Sequence, residues 1–88
     1  GGRLWRHLAL QGLGWVALDR GKLPAAAAHL IGSAETSPDR ETPYAFRTDL
    51  ARALLAKGER AAVADYVRRA LERTPKDPDL LDLQAQLG

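Results

Sequence analysis

Few residues in this 88-residue chain are of types that do chemistry, and their spacing decides what they can do. His7 and His29 have neither cysteine nor a carboxylate at metal-ligand spacing. They read as surface or helix-packing histidines, so no metal is expected. Gly12-x-Gly14 is half of a dinucleotide-binding fingerprint, but it follows no strand and lies inside a helical pattern. Asp77-x-Asp79-x2-Asp82 supplies too few ligands for a calcium loop and fits the acid-rich start of a helix. Arg68, Arg69, Arg73 and Lys76 form a basic cluster. Asp65 and Glu72 stand four residues from Arg69 and Arg68, which makes a self-compensated helix face the simpler account. No aromatic platform accompanies these cations, so nucleic acid is not the expected partner. No catalytic constellation and no cofactor site emerges; the chain reads as a non-enzyme.

The elements that position these residues are helical. Hydrophobic residues make up 45% and charged residues 27%, an ordinary globular balance, and 88 residues suit one domain. Three Val, one Ile and four Thr are too few β-branched residues for a sheet, while Ala and Leu dominate the apolar set. A net charge of +2 predicts no polyanion partner by itself. No apolar run approaches the roughly 20 residues of a membrane span, and no secretory signal is visible. Gly1-Gly2 reads as a cloning remnant, and the abrupt start as the edge of a piece cut from a larger protein.

Periodicity predicts five helices. The first runs from about Arg3 to Arg20, with Leu4, Leu8, Trp15 and Leu18 on one side of the wheel and Leu10, Leu13 and Ala17 beside them; Gly21 stops it. Pro24 opens the second, which ends before Ser37-Pro38. Thr42-Pro43 caps a third that reaches Lys57 and stops at Gly58. A fourth covers Glu59 to Arg73. Asp77-Pro78 caps a short fifth helix bearing Leu80, Leu81, Leu83 and Leu87. The chain also matches itself at an offset of 37 residues, pairing Gly21 with Gly58 and Pro38 with Pro75, each at a predicted boundary. Leu13 then meets Leu50, and Leu18 meets Leu55.

Leu10-x2-Leu13-Gly14-x2-Ala17, followed by Gly21, Ala26, Leu30, Ser33 and Pro38, resembles a tetratricopeptide repeat; Leu50, Ala51, Leu54, Gly58, Val63, Val67, Ala70 and Pro75 form the second copy. Leu10 and Arg47 stand where the family usually has Trp, and Val63 where it has a small Ala. The resemblance implies an all-α fold of antiparallel helical hairpins stacked as a short right-handed α-solenoid. Its frame divides the chain into an extension over 1–6, repeats over 7–40 and 44–77 with residues 41–43 inserted between, and a capping helix over 78–88.

The same resemblance implies a protein or peptide partner, bound on a concave face lined by the first helix of each hairpin. Carried onto this sequence, that face holds Leu8, Gln11, Gly12, Trp15, Asp19, Thr48, Asp49, Arg52 and Asp82. Family members that clamp a chaperone's terminal carboxylate use Lys, Asn and Arg in the groove. Gln11, Trp15, Asp49, Asp79 and Leu83 occupy those places here, which argues against such a clamp. The alternative is a structural spacer or self-association segment. About three repeats are the usual minimum for stability, so Leu4 and Trp5 are expected to meet either the rest of a parent chain or a second copy.

Overall fold

The computed structural model describes residues 2–35 and 45–88, with side chains over 5–35 and 48–88. Five helices account for nearly all of them: α1 (Gly2–Asp19), α2 (Leu23–Glu35), α3 (Ala45–Ala56), α4 (Arg60–Arg73) and α5 (Pro78–Leu87). Each predicted helix is present, and where the predicted boundary falls on described residues it is displaced by at most one residue. The expected Ser37–Glu41 loop and Thr42-Pro43 cap lie outside the described residues.

The 37-residue offset recurs in the backbone geometry. Gly21 has φ 71° and Gly58 has φ 90°, the left-handed conformation that a Cβ penalises. Each ends its helix with the same pair of hydrogen bonds. Gly21 N–H donates to Leu18 O at 3.0 Å and Lys22 N–H to Ala17 O at 2.8 Å. Gly58 N–H donates to Leu55 O and Glu59 N–H to Leu54 O, both at 3.0 Å. These are Schellman closures, which satisfy the last carbonyls of a helix and turn the chain back in a few residues. Helices joined that tightly must lie antiparallel. α5 starts differently: the Asp77 carboxylate accepts from Asp79 N–H at 2.9 Å and Leu80 N–H at 3.2 Å, with Pro78 at its first position.

The helices form two layers. α1, α3 and α5 lie side by side in one; α2 and α4 pack in the other; α3 touches all four of the other helices. α1 and α5 do not touch, so the stack has two separate ends. Between the layers lie Leu30, Leu50, Leu54, Val63, Tyr66, Leu80 and Leu83, all essentially fully buried. Among the described residues no helix is long and apolar enough to cross a membrane.

Small residues set the spacing of the layers. A Cβ placed on Gly14 would overlap Leu50 Cδ2 and come within 3.6 Å of both Ala26 O and His29 Cβ. Leu10, where the family commonly has Trp, lies over Gly32, where an added Cβ would meet it at 3.6 Å, an ordinary contact. Gly12, two residues from Gly14, has nothing within 4 Å of an added Cβ.

The two helical glycines should therefore respond oppositely to alanine. Gly12→Ala gains helix propensity without a clash and stabilises the fold by about 1 kcal/mol. Gly14→Ala gains the same but displaces the fully buried Leu50, and should destabilise by about 1 kcal/mol net. Chemical denaturation of the two variants measures both signs.

Candidate interaction surface

The side of α1 that enters the interior is only partly the one its apolar residues mark: Ala17 is buried and Leu10 and Leu18 are half-buried. Leu8, Leu13 and Trp15 are exposed, while His7, Gln11, Gly14 and Ala17 are buried. The cause is position in the stack. α2 and α3 both approach α1 from the side of Gly14, and no third helix covers the opposite side.

A polar network on that buried side joins the first hairpin. His7 Nδ1 donates to Ser33 O at 2.8 Å, which fixes the proton on Nδ1 because a carbonyl only accepts. Gln11 Nε2 donates to Ser33 Oγ at 2.9 Å, and Ser33 Oγ donates to Leu30 O at 2.6 Å. Ser33 sits in the last turn of α2, where carbonyls lack helical partners, so His7 acts as a side-chain cap for that helix end. Gln11 and Thr48 are 4% and 2% exposed, so neither offers surface to a partner. The sequence left His7 as either a surface or a helix-packing residue; it is the latter, and its partner is 26 positions away.

The other expected contact residues lie open along α1, α3 and α5. Leu8, Gly12, Trp15 and Asp19 follow one another at intervals of four, three and four residues on α1 and are exposed. Trp15 keeps 39% of its surface exposed. On α3, Asp49 is exposed and Arg52 partly so. Arg52 reaches across to α5, its Nη1 lying 3.1 Å from Asp82 Oδ2, and Gln86 Nε2 donates to the same oxygen at 3.0 Å. The surface is apolar at Leu8 and Trp15 of α1 and carries Asp49, Asp79 and Asp82 toward α5, with Arg52 between them. Trp5 is 72% exposed, and the side chain of Leu4 lies outside those described.

Two cations of the basic cluster, Arg68 and Arg69, are neutralised on α4. Arg69 pairs with Asp65 at 3.1 Å and with Glu35 of α2 at 2.8 Å; Arg68 pairs with Asp65 and, at 3.7 Å, with Glu72. Partial burial raises the Asp65 pKa, but hydrogen bonds from Arg69 and Arg68, together with their charges, outweigh it and hold the carboxyl below its usual value. No group of three potential metal ligands exists among the described residues.

Stacked antiparallel helix pairs of this kind define a helical-repeat protein. The chain matches the tetratricopeptide repeat family over residues 9–87 and belongs to it. Comparison with curated proteins and with solved structures returned no match.

His7→Ala removes both a fully buried ring and the cap on α2, and should cost about 2–4 kcal/mol in denaturant unfolding. At Asp65 the sign is that of a lowered carboxylate: its contribution is present above the unfolded-state value of about 4 and is lost as pH falls through the folded one. Thermal unfolding of Asp65→Asn should therefore depend less steeply on pH below about 4 than that of the parent chain.

Proposed function

We propose that this chain is a non-catalytic interaction module, and that the open face of α1, α3 and α5 receives a peptide segment with an apolar anchor followed by basic residues. Membership of the tetratricopeptide repeat family supports a protein partner in general, since its members are generally protein–protein interaction modules. The observation that carries the finer reading is Trp15, half-open beside the unfilled space at Gly12. A tryptophan offers a large area with little entropy to lose, which is why it recurs among residues that dominate binding. Gly12 leaves room next to the ring for a partner's side chain.

Charge supplies the direction. From Trp15 toward α5 the surface carries Asp49, Asp79 and Asp82, and Arg52 already engages Asp82. Such a face repels a carboxylate and attracts Lys or Arg. Leu8 and Trp15 therefore hold the apolar end of the segment, and the aspartates hold its basic end. Gln11 acts beneath the surface by holding α1 to α2 through Ser33.

Isothermal titration with two peptides of equal length, one pairing a Leu or Phe with Lys and Arg and the other pairing it with Glu, tests this reading. The basic peptide should bind, weaken with added salt, and lose about tenfold or more in affinity to Trp15→Ala. Equal affinity for both peptides, or an unchanged affinity in Trp15→Ala, would remove it.

A further inference from the structure

The 37-residue repetition carries part of the interior onto one open surface. α4 packs on α2 and α3, and α5 follows α4 as α3 follows α2. Between α4 and α5 lies a groove of about 560 Å³, with Ala64, Val67, Leu71 and Leu87 on its walls. At the repeat offset Ala64, Val67 and Leu71 correspond to Ala27, Leu30 and Ala34, all buried in α2, the helix on which α4 packs. In the groove Ala64 is exposed and Leu71 half-buried. Glu72 indicates what a helix in this place would carry. Its repeat equivalent is Glu35, whose carboxylate accepts from Arg69 Nη1 of α4 at 2.8 Å and so links the two packed helices. Glu72 lines the groove with its side chain 68% exposed. Arg68, which stands where α2 has Ile31, lies 3.7 Å from it, beyond hydrogen-bond distance, and donates to Asp65. The carboxylate therefore stays available to a further cation.

We infer that the α4–α5 groove receives an amphipathic helix of a protein partner, seated on α4 and α5 as α4 is seated on α2 and α3. The chemistry of the occupant follows from α4. Its buried face is Val63, Tyr66, Val67 and Ala70, the i, i+3, i+4, i+7 spacing with which a helix anchors in an apolar groove. A partner helix repeats that spacing and sets Lys or Arg, in the place of Arg69, against Glu72. A second copy of this chain does not supply it, because its own α4 has that face buried within the fold. The groove shares no residue with the open face of α1, α3 and α5, so this inference stands or falls separately from the peptide-binding reading above.

The probe is α4 itself: a fluorescent peptide of residues 59–74, held helical by a lactam bridge between its positions 64 and 68, outside the face it would bury. Titrated with the intact chain, its anisotropy should saturate in the micromolar range. Arg69→Glu in the peptide should weaken binding about fivefold, the size expected of one exposed ion pair. Glu72→Arg in the chain should restore the affinity of that altered peptide. Ala64→Lys, at an exposed position of the groove, should abolish binding while the helical circular dichroism spectrum stays unchanged. No saturation up to about millimolar concentration overturns the inference. So does full binding to Ala64→Lys, which would place the peptide elsewhere, or a charge reversal that fails to restore affinity. Self-association of the parent chain that Ala64→Lys removes would make the occupant a second copy, and overturns it as well.

Discussion

The fold depends on how closely α3 can approach the first hairpin. Leu50 reaches the backbone of α1 because Gly14 has no side chain, and in doing so it ties the second hairpin to the first. A glycine inside a helix sacrifices about 1 kcal/mol of intrinsic propensity. Burial of a leucine returns about 1.5–3 kcal/mol, so the exchange is favourable. Everything else in the stack is placed relative to that contact: α2 against α1, α4 against α2, and α5 against α3 and α4.

A structure assembled by repetition solves each interior contact once and reuses the solution. The Schellman closures at Gly21 and Gly58 coincide bond for bond at the same offset, as do Ala26 and Val63 at the crossings beyond them. The consequence appears at the ends, where the same residue types occur without the neighbour that covers them in the middle. Leu13 is open where Leu50 is closed, and Leu71 lines a groove where Ala34 is buried. Exposed apolar residues here are unfinished interior, which is a different thing from a scattered apolar surface.

Polar residues divide between two tasks. His7, Gln11 and Ser33 are turned inward, where their hydrogen bonds tie α1 to α2. Asp49, Arg52, Asp82 and Gln86 are turned outward across α3 and α5, where water keeps each ion pair weak and leaves its charges available to a ligand. On α4, by contrast, Arg68 and Arg69 are held by three carboxylates, so these two members of the basic run are already paired.

Local chemistry alone determined the five helices, their antiparallel pairing and the repeat. Gly with positive φ, Pro in a first turn and Asp at an N-cap act within a few residues of themselves, so their effect is legible without a fold. The family, and the absence of metal-ligand spacing, were readable for the same reason. Which side of α1 is buried was not. Its apolar wheel spans Leu8, Leu13 and Trp15 as well as Leu10, Ala17 and Leu18, yet only the last three turn inward, beside His7, Gln11 and Gly14, because a helix at the end of a stack has neighbours on one side only. Periodicity reports how much apolar surface a helix carries; only the positions of α2 and α3 decide how much of it is covered. That tertiary decision leaves Trp15 half-open, consumes Gln11 and Thr48, and turns Leu13 from core into surface.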